Sequence, residues 1–323
     1  MTIQQIYDLA IKLGITADFR GKSEIAKKLK REKEKFEKLP KDEKTFFDKE
    51  RLENPFSDTR ILLGSPDAQI KNILVGIDIE TGEVMLTKKL QENGKKIDLI
   101  ISHHPAGKAL ARLDDVIELQ TDMLAQLGVP INIAEHLIQL RKGEVFRCIC
   151  AENHNQAVDA AKLLNIPWLC VHTPADNLVA RFLKNKIERT KPEYVEDILK
   201  ILNSIPEYQE GKKIGAGPSL FAGSQDRKCG KIAFTEITGG TSGHKDIYEK
   251  LSHAGVGTII GMHMSEEYKK EAEKYHINVI IAGHMASDSL GLNLFLDELE
   301  KKGIKIIPCS GLIRVSRVKK KKK

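Results

Sequence analysis

Several things are scarce in this chain, and each scarcity narrows its class. No apolar stretch approaches the roughly 20 residues of a spanning helix, so no membrane role is expected. The opening Met1-Thr-Ile-Gln-Gln-Ile-Tyr-Asp8 has no basic segment leading into an apolar one, so no signal peptide is expected either. Only five cysteines occur, Cys148, Cys150, Cys170, Cys229 and Cys309, and none forms a Cys-x-x-Cys pair. An odd count without a framework argues against a disulfide scaffold and for free thiols in a reducing cytoplasm. Aromatics are 5% and do not interleave with basic residues, which argues against a nucleic-acid partner. Neither a Walker nor a dinucleotide fingerprint is present.

What remains is a chain able to fold. Its 323 residues suffice for two domains or one large one, and 41% hydrophobic content supports a sizeable core. The net charge of +7 is mostly terminal, because five positive charges are Lys319 to Lys323. That run reads as a solvated tail, and the rest of the chain is close to balanced.

Four segments follow from the texture: residues 1–66, 67–225, 226–318 and the tail 319–323. In the first, Ile3, Ile6, Tyr7, Leu9, Ala10 and Leu13 recur at helical spacing. Lys27 to Arg51 is dense in Lys and Glu and reads as charged, largely exposed helices, with a partner subunit as one candidate cover. From Ile70 on, strands alternate with helices. Strands are expected at Ile70–Ile79, Asp98–Ser102, Ile131–Ala134, Trp168–Val171, Lys231–Ile237, Thr258–Gly261, Val279–Ala282 and Ile304–Ile307. The Gly-rich 211–223 stretch reads as a linker. The pattern predicts an α/β protein with duplicated, sandwich-like halves and mainly parallel sheets, plus an N-terminal charged helical segment.

Three apolar runs end in histidine: Asp98-Leu-Ile-Ile-Ser-His103-His104-Pro105, Trp168-Leu-Cys-Val-His172-Thr-Pro-Ala-Asp176 and Asn278-Val-Ile-Ile-Ala-Gly-His284-Met-Ala-Ser-Asp288. Such a run reads as a buried strand reaching its carboxyl end. In open α/β sheets those ends share one edge, where ligands bind. Four histidines and two carboxylates gathered there suit one or two divalent metals. His103 and His104 can both swing toward one site at a Pro-bounded turn. His284 and Asp288, four apart, share a helix face if a helix follows Gly283, or Asp288 merely stabilises the start of that helix. His172 and Asp176 repeat the spacing across Pro174, with Asp176 the better ligand and His172 a ligand or the support of one. The run ending at Glu135-His136 lacks a following carboxylate and reads as structural or supporting. His154, His244, His253, His263 and His276 read as ordinary histidines. Gly239-Gly240-Thr-Ser-Gly243 is a weak candidate anion cradle, and Met262 and Met264 read as packing.

At these residues the chain resembles the Nif-three-like dinuclear-metal family, which includes homologues of a type-2 GTP cyclohydrolase. The similarity spans roughly residues 70–315. It implies a duplicated α/β fold, a two-metal site and a ring-shaped homohexamer. By that resemblance His103 and His104 each bind one metal, Asp176 binds one of them, His284 the other, and Asp288 bridges the pair. The family usually has glutamate where Asp288 stands, the His104-to-His172 stretch is longer here, and residues 1–66 do not match. The leading expectation is a metal-dependent hydrolase acting on a nucleotide, a phosphoester or a purine ring. Zn, Fe, Mn, Co and Ni all suit such donors. The alternative is a non-enzymatic metal-binding regulatory or scaffold assembly.

Overall fold

Short runs rich in Ile, Leu and Val build two sheets, because such residues fill a pleated surface buried on both faces. The computed structural model describes residues 1–319; the expected lysine tail lies, from position 320 on, outside the described residues. The first sheet holds β1 (Arg60–Leu63), β2 (Asn72–Gly76), β3 (Leu99–Ser102) and β4 (Trp168–Cys170). The second holds β5 (Ser219–Ala222), β6 (Lys231–Glu236), β7 (Val256–Gly261) and β8 (Asn278–Ile281). A ninth strand, β9 (Lys305–Pro308), follows near the C-terminus. The strand orders are β1-β4-β3-β2-β9 and β5-β8-β7-β6. β1 and β5 are antiparallel edges, and the other pairings are parallel.

Apart from β9, which has no counterpart, the two orders match strand for strand (β1, β4, β3, β2 with β5, β8, β7, β6), the pattern of an internal duplication. The register agrees: Gly76 pairs with Ser102 as Glu236 pairs with Gly261. Past the strand ends, Val171 N–H donates to Ser102 O at 2.9 Å and Ala282 N–H to Gly261 O at 2.8 Å.

Helices α1 (Ile3–Ala17), α2 (Lys22–Lys38) and α3 (Lys41–Phe46) precede β1. α4 (Thr81–Glu92) joins β2 to β3. Between β3 and β4 run α5 (Gly107–Leu110), α6 (Leu119–Gln126), α7 (Ile131–Ile149) and α8 (Gln156–Leu163). Between β4 and β5 run α9 (Thr173–Thr190), α10 (Val195–Asn203) and α11 (Pro206–Lys213). α12 (Ile247–His253), α13 (Glu266–Lys274) and α14 (His284–Glu300) complete the second half. None of the described helices is long and apolar enough to cross a membrane.

α1 starts from a capping box, with Thr2 and Gln5 answering each other's backbone amides. Its face of Ile3, Ile6, Ala10 and Ile11 is buried in the first-sheet core. Burying each such isoleucine contributes about 1.5–3 kcal/mol, so α1 is part of the fold and not a detachable arm. α2 behaves as its composition suggests: only Ile25 is buried. α9 and α14 serve both cores, through Ala175, Leu292 and Phe295 on one side and Val179, Leu183 and Leu290 on the other. They therefore lie between the sheets. Their crossing is close: a Cβ on Gly291 would stand 2.3 Å from the Ala175 carbonyl oxygen.

Three expectations need correction. Ile131–Ala134 is not a strand but the first turn of α7, a 19-residue helix. Its buried positions Ala134, Leu137, Ile138, Val145 and Ile149 keep helical spacing, which four residues are too few to reveal. The 211–223 stretch is not a bare linker, because it contains β5. The closing strand, expected in the second half, crosses back and pairs with β2, as β9 of the first sheet.

Candidate metal centre

The duplication sets where the site falls. β3 and β4 end beside one another, β7 and β8 likewise, and α9 and α14 start from β4 and β8. The residues just past these strands and in the first turns of these two helices meet between the sheets. His103 and His104 follow β3, His172 caps α9 and Asp176 lies in its first turn. His284 opens α14, with Asp288 one turn on. Gly283 makes that start possible: its φ is +101°, and a Cβ there would approach the Ala216 carbonyl oxygen to 2.5 Å.

His103 Nε2 stands 3.3 Å from Asp176 Oδ1 and 3.5 Å from Asp288 Oδ1. On the other side of the same carboxylate, Asp288 Oδ2 is 3.5 Å from His104 Nε2 and 3.6 Å from His284 Nε2. Two groups of three donors result, His103 with Asp176 and Asp288, and His104 with His284 and Asp288. Either could hold a metal ion. A tetrahedral cation with bonds of about 2.1 Å sets its donors about 3.4 Å apart, close to these separations. A third group, His103, His104 and His172, overlaps the first two.

These atoms face one another without bonding. His103 Nε2, Asp176 Oδ1 and both Asp288 oxygens are buried and have no hydrogen-bond partner among the described residues. The 3.3 Å contact between His103 and Asp176 lacks hydrogen-bond direction. Orphaned buried polar atoms are costly, and four converging at one place need a common partner. A divalent cation meets that need, so the residues fit a metal.

The remaining ring nitrogens are held from behind. His103 Nδ1 lies 3.2 Å from Val171 O, which fixes it as the N–H and leaves Nε2 as the free lone pair. His104 Nδ1 is 2.6 Å from Asp78 Oδ1, and His172 Nδ1 is 2.7 Å from Asp58 Oδ2. Asp58 also accepts from the Thr173 hydroxyl at 2.6 Å.

Charge follows this layout. Burial alone would lower the His103 pKa, but Asp288 and Asp176 outweigh it and hold the pKa well above the ordinary imidazole value. His104 is also raised, burial and His103 being overcome by Asp288 and Asp78. Burial would raise Asp288, yet His103 and His104 keep it far below the carboxylate range. Asp58 is lowered, since bonds from His172 and Thr173 outweigh its burial. His284 is lowered, chiefly by burial.

A cavity of about 230 Å³ opens on the cluster, bordered by His104, His172, Asp176, Glu236, His263 and His284. A larger hollow of about 660 Å³, near Tyr7, Glu50, Ile61 and Lys108, includes none of the clustered donors.

All five residues singled out as ligands in the sequence, His103, His104, Asp176, His284 and Asp288, come together here. Glu135 and His136 do not, because they lie exposed on α7. Asp58, Asp78 and His263 escaped sequence reasoning. Asp78 and His263 each lie two residues past a strand end, as His104 does, but without a doublet to draw attention. Asp58 sits in a loop with no pattern at all. His263, set aside as ordinary, is next to the cluster: its ring centroid is 5.1 Å from that of His284. The Gly239–Gly243 loop borders the same cavity. Gln120 holds it by donating to Thr241 O at 2.6 Å and Thr238 O at 3.3 Å.

A duplicated α/β protein with a His/Asp cluster at the meeting of its two sheets is thus defined. Its fold is that of the NIF3 superfamily. A NIF3 superfamily protein from Sphaerobacter thermophilus superposes with a TM-score of 0.75 at 22% identity, covering 97% of this chain and 99% of that one. Reduced HcgD from Methanocaldococcus jannaschii gives 0.47 at 15% identity, over 77% and 87% of the two chains. A Thermus thermophilus protein gives 0.45 at 13%, over 80% and 89%. No protein-family model matches the sequence, and no curated protein matches it.

Proposed function

We propose that the protein binds two divalent metal ions and is a metal-dependent hydrolase. In this reading His103, Asp176 and Asp288 hold one ion, His104 and His284 hold the other, and Asp288 bridges them. One observation carries it: both Asp288 oxygens are buried without hydrogen-bond partners, and each faces a different set of imidazoles. Divalent cations supply Lewis acidity, which activates water near neutral pH and stabilises negative charge on a substrate oxygen. The chain's own residues orient that chemistry. Asp58, Asp78 and the Val171 carbonyl fix three imidazoles, and α9 and α14 bring their carboxylates in from rigid elements. The cavity beside the cluster gives a small molecule access, which a closed structural site does not need. That favours an enzyme over a non-enzymatic metal-binding assembly.

Nucleotides, phosphoesters and purine rings remain the substrate classes of this reading, with Zn, Fe, Mn, Co or Ni as the metal. The reading also includes a homo-oligomer, a hexamer by resemblance, which sedimentation tests, and residence in the cytoplasm, in keeping with the free cysteines. The functional test is hydrolysis by metal-stripped protein reconstituted with each ion in turn. Metal-dependent turnover lost in His104→Ala supports the hydrolase. Full metal loading with no turnover across the three substrate classes favours the assembly.

A further inference from the structure

Outside the five ligands and His172, one more imidazole stands against the cluster, that of His263, its ring centroid 5.1 Å from that of His284. The register of the two halves explains why. Ser102 and Gly261 end equivalent strands, so His103 corresponds to Met262 and His104 to His263. The amides confirm it: His103 N–H donates to Gly76 O at 3.0 Å and Met262 N–H to Glu236 O at 3.2 Å. His263 is thus the second half's counterpart of a candidate ligand. It is absent from every three-donor group among the described residues. Instead it stands exposed at the cavity mouth, its ring edge-on to His284.

The ring is braced. Ser242 Oγ lies 3.2 Å from His263 Nδ1. With Nδ1 engaged by the serine, Nε2 is the ring nitrogen left for another partner. Arg141 Nε donates to Ser242 O at 2.9 Å and secures the serine's backbone.

We propose that His263 contacts substrate: held by Ser242, it offers Nε2 across the cavity mouth to an N–H or O–H of a substrate whose neighbouring oxygen faces the His/Asp cluster. The proposal rests on the metal-centre reading and narrows its substrate. The volume of about 230 Å³ is below the range of about 300–1,000 Å³ typical of drug-sized ligands. Leu110, Leu113, Ile237 and Met262 give it apolar walls. A single ring bearing an amide or urea-like N–H beside its carbonyl fits, and a whole nucleoside triphosphate does not.

The test uses the full chain reconstituted with cobalt(II) and titrated with acetohydroxamate, followed by visible absorption. Acetohydroxamate pairs a metal-binding oxygen with an adjacent N–H; acetate has the oxygen and no N–H. The expected result is acetohydroxamate affinity about tenfold weaker in His263→Ala, the worth of one hydrogen bond. Partial recovery is expected in His263→Gln, and an intermediate loss in Ser242→Ala. Acetate affinity, cobalt content and the ligand-free spectrum should stay unchanged. Unaltered acetohydroxamate binding in His263→Ala overturns the proposal. So does loss of cobalt in that variant, which would make His263 a metal ligand. If the unsubstituted protein takes up no cobalt, the metal-centre reading itself fails, a result separate from both.

Discussion

Gly291→Ala probes how the fold makes the site. Gly291 lies mid-way along α14, where the helix crosses α9 over Ala175. The added Cβ would stand 2.3 Å from the Ala175 carbonyl oxygen and 2.9 Å from its carbon, against 3.4 Å for ordinary contact. Both atoms are backbone, so no side chain can swing aside. The helices must part by about 1 Å in a close-packed interior, and overpacking of this kind costs about 1–3 kcal/mol. These two helices carry Asp176 and Asp288. Metal sites tolerate about 0.2 Å in ligand position, so a shift of that size should weaken metal binding about 10–100-fold. Urea unfolding of the metal-free protein reads the first effect, and competition with a chromogenic chelator reads the second. Gly82→Ala is the control, since a Cβ there meets nothing within 4 Å. Unchanged stability and metal affinity in Gly291→Ala would refute the claim that this crossing sets the site geometry.

Asp58→Asn removes the carboxylate behind His172; if His172 supports the centre, chelator competition should show about 10–100-fold weaker metal binding. His136→Ala, on the exposed face of α7, should leave metal content unchanged by elemental analysis. The pH dependence has a definite sign. In the metal-free fold His103 has a pKa well above its unfolded value of 6.5. Its contribution to stability is therefore fully present below pH about 6.5 and lost as pH rises through the folded pKa. Urea midpoints of the metal-free protein should fall over that window, and metal should restore them, because proton and cation compete for the same nitrogen. A midpoint that rises with pH there would contradict this assignment.

What was legible in the sequence was local. Asp98 to His104 shows a strand and its polar end within one short run, and the four-residue spacing of His284 and Asp288 shows one helix face. Elements resting on long-range contacts were hidden. The run from Ile131 looks like a strand until the period of α7 emerges over later residues. β9 declares its apolar character but not its sheet, which depends on β2 having a free edge. Asp58 is tied to His172 across 114 positions, and nothing near it in sequence reveals that. His263 lies two residues past its strand, as His104 does. No doublet marks it, because Met262 stands where the first half has His103.

The two-metal centre is tested most directly by anomalous diffraction from crystals of the metal-loaded protein, recorded on both sides of the metal's absorption edge. The account requires two peaks about 3.5–4 Å apart, one on each side of the Asp288 carboxylate. A single peak that excludes Asp288, or none within reach of His103, His104 and His284, would contradict it.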